Sequence, residues 1–332
     1  MKKINRQKPN RRAVVAGGLA SAALAFAPKS PAIAQTQEKL VMLNGTAPPE
    51  PASHYFQYAI QNGFYKNHGV DLELRAISGT ANALRATVAG EVDICWIDAW
   101  TGLQARDKGL KVKVLSAFCP KLDYSVVGLK EIKGMKELSN RSIAIGIVGG
   151  STQSIPRIMA RKAGADVSGI TWLSVGNNAA RAQSLIAKRV EATMVTSTYV
   201  PRLMTYDHLH VLADAAQELP DIIYTFEVAT EANLAKKRKA FEGFIQATRE
   251  GVRWALANPD KAAEISVATL PDLPHDETRN AIKDYVKRNF WEATGVLPTK
   301  SLAATADLMK ESGQLTGAIT YDDFVATAFT KA

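Results

Sequence analysis

Of 332 residues, 41 are Lys or Arg and 32 are Asp or Glu, a formal net charge of +9. Seven of the basic residues and no acidic one fall within the first 34 positions, and without them 34 basic face 32 acidic residues, so the charge is no argument for a nucleic-acid surface. Two cysteines, Cys95 and Cys119, exclude a zinc ribbon or an iron–sulfur site built on cysteine alone.

In chain order, the first 34 residues read as an address. Lys2, Lys3, Arg6, Lys8, Arg11 and Arg12 precede a mildly apolar, Ala/Gly-rich run over residues 13–27. Lys29 and Pro31 then lead to Ala32-Ile33-Ala34, an A-x-A site. A basic start, a short apolar stretch and small residues at −3 and −1 predict a secretory signal peptide cleaved after Ala34. The run is shorter than the roughly 20 residues of a membrane span. Arg11-Arg12 followed by Val14 and Val15, with Lys29 ahead of the cleavage site, points to the twin-arginine route rather than an ordinary Sec signal. No cysteine lies near the site, so the expectation is a periplasmic protein without a lipid anchor.

The remainder alternates strands and helices. Residues 39–43 form a short apolar strand, and a helix opened by Pro49 and Pro51 runs to about Asn67, with Gly69 just beyond. Strands follow at 70–77, 92–97 and 112–118, with helices between them, one of them at 80–89. A second run has strands at 142–147, 170–174, 190–196 and 210–213 and helices at 151–163 and 178–187. From Thr230 onward the pattern is nearly all helical, with Phe244, Trp254, Phe290 and Trp291 as core anchors. This order argues for an α/β protein with mainly parallel sheets. About 298 residues after the signal are enough for two lobes.

The two runs echo each other. Val88-Ala89-Gly90-Glu91-Val92-Asp93-Ile94 parallels Ile186-Ala187-Lys188-Arg189-Val190-Glu191-Ala192, and each follows a loop rich in Ser, Gly or Asn. The apolar stretches 124–129 and 222–228 read as two crossing strands, a hinge able to open and close a cleft. Residues 35–123 with 227–332 then make lobe one, and 124–226 an inserted lobe two. An exported setting permits a Cys95–Cys119 disulfide, with buried free thiols as the alternative.

In open parallel sheets ligands lie beyond the carboxyl ends of the strands. That rule selects the loops 44–53, 78–82, 98–101, 149–153, 176–178 and 196–199, and in them Thr46, Ser78, Gly79, Thr80, Asp98, Gly150, Ser151, Thr152, Asn177 and Ser197. Helix N-termini at such loops suit an anion, although Ser151, Thr152 and Asp98 serve equally as caps. Trp96, Trp100, His54, Tyr55, Tyr199 and Phe226 supply aromatic walls for a ring-bearing ligand. Trp96 serves as well in a core, and His54 at a helix start on the surface.

At these loops the chain resembles the nitrate/sulfonate/taurine and thiamine-pyrimidine group of ABC-transporter solute-binding proteins. The residues that carry the resemblance are the run Gln61-Asn62-Gly63-Phe64-Tyr65-Lys66-Asn67-His68-Gly69-Val70-Asp71-Leu72-Glu73-Leu74, the Val88–Ile94 turn, and residues 129–150, where Leu138-Ser139-Asn140-Arg141 departs from the usual wording. The likeness covers roughly residues 40–226 well and the helical tail loosely. It implies a type II periplasmic-binding fold that holds a small ligand between lobes and passes it to an ABC permease in the inner membrane. Members take sulfonates, nitrate, aromatic carboxylates, pyrimidines or flavin. A related pyrimidine synthase carries a cysteine-rich motif that this chain lacks.

The functional expectation is a monomeric, non-enzymatic solute-binding component for an anionic (sulfonate or aromatic carboxylate) or heteroaromatic ligand, with no cofactor, metal or nucleic acid. The alternatives are an exported enzyme on the same fold or a ligand-sensing partner of a membrane receptor. Against an enzyme, there is no Ser/His/Asp nucleophile turn and no HExxH, and His54, His68, His208, His210 and His275 are scattered.

Overall fold

The computed structural model describes residues 37–270 and 274–330. The expected signal peptide and its cleavage site lie outside the described residues.

The first half begins with β1 (Glu38–Asn44), α1 (Tyr55–Gln61), α2 (Phe64–Asn67) and β2 (Val70–Ala76). It continues with α3 (Thr80–Val88), β3 (Ile94–Asp98), α4 (Ala99–Asp107) and β4 (Val112–Ser116). The single helix expected to run to Asn67 is broken, because Gly63 sits at φ 72, in the left-handed region, between α1 and α2. Glycine enters that region without the side-chain clash that bars other residues.

The second half holds β5 (Tyr124–Leu129), β6 (Ser142–Ile145), α5 (Ser151–Lys162) and β7 (Thr171–Ser174). Then come α6 (Asn178–Ile186), β8 (Ala192–Thr196), α7 (Val200–Leu203), β9 (Leu209–Asp214) and α8 (Ala215–Glu218). After β10 (Thr225–Thr230) the chain is helical: α9 (Glu231–Lys236), α10 (Arg238–Ala257), α11 (Pro259–Thr269), α12 (His275–Lys287) and α13 (Thr299–Glu311), then two short turns. On α10, Phe241, Phe244, Ile245, Thr248 and Val252 recur at helical spacing and are all buried. Phe290 and Trp291 are core residues as expected, whereas Trp254 is only half-buried.

The strands form two five-stranded sheets, β2-β1-β3-β10-β4 and β7-β6-β8-β5-β9. In each, the outer pairs on one side are parallel. The fourth strand runs antiparallel to both of its neighbours. That fourth strand arrives from the other half of the chain: β5 follows the first sheet's β4 but joins the second sheet, and β10 makes the reverse journey. The type II arrangement of two α/β lobes follows from this exchange. β5 and β10, expected as the crossing strands, are therefore full members of the sheets. The crossings themselves lie just before them, where Lys121 bridges Ile223 and the Tyr224 N–H donates to Pro120 O at 2.7 Å.

Candidate functional site

The parallel strands of both sheets end in loops that face one crevice of about 950 Å³. Its walls come from the loops after β1, β2 and β3 on one side and after β6, β7 and β8 on the other, closed at the back by Tyr124 and Tyr224.

The first wall is tightly pinned. A side chain at Gly45 would come within 2.9 Å of Thr80 Cα and Trp96 O, so only glycine lets the β1 loop lie this close. The Thr46 hydroxyl and N–H both donate to Asn44 Oδ1, at 2.9 and 3.0 Å. Asp98 caps α4 by accepting from the Thr101 N–H (2.9 Å) and hydroxyl (2.8 Å), and also accepts from the Thr80 hydroxyl at 2.5 Å. Its carboxylate is thus fully engaged in holding two loops together.

Trp96 contributes from beneath this wall. Its indole N–H donates to Tyr55 Oη (3.0 Å), and the Tyr55 hydroxyl donates to the buried Glu227 at 2.5 Å. Burial pushes the Glu227 carboxyl up to about 7. Trp96 packs edge-on to Tyr224 at 6.2 Å, and Tyr224 edge-on to Tyr124 at 5.0 Å, which makes a continuous aromatic floor.

The second wall carries two longer helix starts. At α5, Gly150 is the cap residue and offers no side chain, while Thr152 Oγ1 accepts from the Gly146 N–H at 2.9 Å. At α6, Asn177 accepts from the Ala180 N–H at 3.0 Å. Arg181 also belongs to this wall but is only 3% exposed. Its guanidinium donates to Met194 O (3.0 Å), Gly176 O (2.5 Å) and Asn178 Oδ1 (2.5 Å). Burial lowers its pKa. It is a rivet of the wall. In contrast, Ile147 and Val148 at the tip of the β6–α5 loop are 62% and 70% exposed.

Side-chain ties join the two halves, the first of them in the crevice itself. Asn178 Nδ2 donates to Glu50 Oε1 at 2.6 Å. Gln314 accepts from the Trp100 indole (2.8 Å) and donates to Ser154 Oγ (2.5 Å). Arg288 of α12 pairs with Asp214 at 2.6 Å.

Of the residues singled out from sequence, Thr46, Ser78, Gly79, Thr80, Trp96 and Asp98 line the crevice on the first wall. Gly150, Ser151, Thr152, Asn177 and Tyr199 line it on the second. Five are placed elsewhere, one of them Tyr55, which is buried between Trp96 and Glu227. His54 is buried and hydrogen-bonded to Thr269 at 2.7 Å, with its pKa lowered to about 3 by burial, so it is a neutral core histidine. Trp100 is buried against Gln314, and Phe226 packs edge-on against Phe324 in the core. Ser197 donates its hydroxyl to the buried Asp123. One residue along a strand reverses its face, which the loop rule left open for Phe226, and the helical turn of α4 decides the direction of Trp100.

The residues missed include Glu50, Arg85, Tyr124, Asn178, Arg181, Arg202, Tyr224 and Glu277. Glu50 and Asn178 fall inside loops that the strand-end rule selected, so only their residue type hid them among neighbouring Pro and Asn. Tyr124 and Tyr224 were read as strand. Glu277 comes from α12, more than 40 residues past the second sheet, and no local signal marks it. Cys95 and Cys119 are free and buried, and burial pushes the Cys95 thiol up to about 12. Among the described residues no cluster of His, Cys, Asp or Glu is placed to hold a metal ion, and no helix is long and apolar enough to cross a membrane.

The sequence pattern of the "NMT1/THI5 like" family matches residues 51–262. No curated protein matches the chain. Among solved structures, a protein from Bordetella bronchiseptica RB50 is similar at 20% identity and a TM-score of 0.73, over 89% of this chain and 96% of that one. A Candida albicans protein described as having the generic periplasmic binding protein structural fold is similar at 18% identity and a TM-score of 0.70, over 87% and 95%. The periplasmic aliphatic sulphonate binding protein SsuA from Escherichia coli is similar at 15% identity and a TM-score of 0.70, over 88% and 99%.

Proposed function

The chain belongs to the NMT1/THI5-like family, and from that membership and the crevice we propose that it is the extracytoplasmic solute-binding component of an ABC importer, trapping a small ring-bearing ligand between its lobes. The observation that carries the ring is the aromatic floor of Trp96, Tyr224 and Tyr124 with Tyr199 at its side. An aromatic solute buries its faces there, while the free N–H groups at the starts of α3, α5 and α6 receive acceptor or anionic substituents.

In this reading residues 1–34 direct export by the twin-arginine route and are removed, and the mature monomer meets the permease in the periplasm. Residues 35–123 with 227–332 close against 124–226 about the paired crossings at Lys121 and Ile223. The exported aliphatic-sulphonate and nitrate binding proteins with similar folds support the transport role. Binding at micromolar strength, about −8 kcal/mol, requires no more than such a floor and a few hydrogen bonds.

The test is a thermal-shift screen of the protein with sulfonates, aromatic carboxylates, pyrimidines and amines. A solute present at 100 times its Kd stabilises by about 2.7 kcal/mol through mass action. A ring-bearing compound that raises Tm and is recovered unchanged supports the reading; conversion of the compound would make the protein an enzyme, and no response from any class would remove the solute-binding role.

A further inference from the structure

The strand-end rule emphasises anion binding, but the crevice places a carboxylate beside the aromatic floor. Glu50 stands between Pro49 and Pro51, whose rings fix their own backbone angles. One of its oxygens is held by Asn178 across the crevice at 2.6 Å. The other has no partner among the described residues, and Glu50 remains half-buried on the crevice wall. Among the described residues no ion pair reaches it. The positive charge it feels is that of Arg181, and that guanidinium is 3% exposed with its N–H groups committed to Met194, Gly176 and Asn178. Arg181 therefore does not present its charge to the crevice as Glu50 does; Arg85, Arg202 and Glu277 also line the crevice.

We propose that Glu50 sets the charge selectivity of the crevice: its unpaired oxygen accepts from a protonated amine, amidine or ring N–H on an aromatic ligand, and it disfavours ligands that present an anion at that end. The inference rests on the ring-binding reading above and sharpens it. Burial raises the pKa of Glu50, the mark of a carboxylate whose ionised form has lost water without gaining a full counter-charge. A cationic nitrogen supplies that counter-charge, and charge-assisted hydrogen bonds of this kind are the strong ones. Of the other acids that line the crevice, Asp98 accepts from Thr80 and Thr101, and Glu277 stands on α12.

Three probes of one shape and three charges separate the outcomes: benzamidine (cation), benzamide (neutral) and benzoate (anion), titrated calorimetrically into the wild type and Glu50→Gln. In the wild type the expected affinity order is benzamidine, benzamide, benzoate. Glu50→Gln keeps a carbonyl for Asn178, and it is expected to weaken benzamidine about tenfold or more while strengthening benzoate. Circular dichroism and Tm confirm that the variant is folded. The inference is overturned if benzoate outranks benzamidine in the wild type, if benzamidine does not bind, or if Glu50→Gln leaves the order unchanged. When another ring compound of the wider screen still binds, such a result removes only the role of Glu50; silence across the whole screen removes the solute-binding reading itself.

Discussion

The two sheets are built to one plan and finished differently. In the first, Asp93 accepts from the Val41 N–H at 2.9 Å and returns its own N–H to Val41 O. In the second, Glu191 does the same to Ser142, at 2.8 Å through its side chain and 2.9 Å through its backbone. Each acid has its own cation, Lys237 for Asp93 and Arg141 for Glu191. The same register puts Trp96 opposite Glu227 in the first sheet and Met194 opposite Val126 in the second. Where the second sheet has an apolar pair, the first has an indole, a phenol and a carboxyl in a hydrogen-bonded row. The row ties Trp96 and Tyr55 to Glu227 Oε1, while Glu227 Oε2 is buried without a partner among the described residues. The comparison teaches that a buried polar row underlies the first wall, whereas the second is held by Arg181 and presents Ile147 and Val148 exposed on a glycine-flanked loop.

The largest effect expected from breaking this contrast is at Trp96. Trp96→Ala removes a side chain 1% exposed and is expected to cost about 3–5 kcal/mol in denaturant unfolding. A loss under 1 kcal/mol would mean that the first wall does not depend on its indole.

A smaller effect sharpens the role of the polar row. Glu227 has a pKa raised from 4.5 to about 7 in the folded protein. Between those values the folded state holds the proton more tightly than the unfolded, so this residue's contribution falls as pH rises from about 4.5 to 7 and is flat above. His54, lowered to about 3, acts in the opposite sense below 6.5. The difference between wild type and Glu227→Gln isolates the first term: the variant is expected to gain roughly 1–3 kcal/mol relative to wild type between pH 5 and pH 8. A difference curve flat in pH would show that Glu227 is ionised throughout or titrates normally.

The smallest effect concerns the twin turns. Gly90 and Lys188 occupy matching places at φ 78 and φ 55. Nothing lies within 4 Å of a side chain added at Gly90, so only the backbone resists. Gly90→Lys is expected to cost about 1 kcal/mol and Lys188→Gly to change stability by about 0.5 kcal/mol in the stabilising direction. Melting of the two single variants checks this, and opposite signs are the signature of a shared turn.

Much of this plan was legible because it is local. Alternating apolar residues marked most strands within one or two positions, and the echo of residues 88–94 in 186–192 pointed to the twin turns before their geometry was known. The loops at strand ends were found by rule, since parallel strands must end on one side. What escaped was orientation. Trp100 and Phe226 face the core rather than the crevice, and His54 is spent on Thr269, outcomes fixed by which neighbour each side chain meets. Gly63 split a helix whose apolar spacing gave no warning of a break.

The sequence by itself determined the alternation of strands and helices, the doubling of the pattern and the loops from which a site would be drawn, because periodicity, capping and turn residues act over a few positions. Only the tertiary structure decided that β5 and β10 exchange sheets, that Arg181 is locked inside its wall and that Glu50 is left with an oxygen facing the crevice. Those outcomes depend on partners as far as 128 residues away in the chain, as between Glu50 and Asn178, and no local pattern records which distant group will satisfy a donor or leave a carboxylate unpaired.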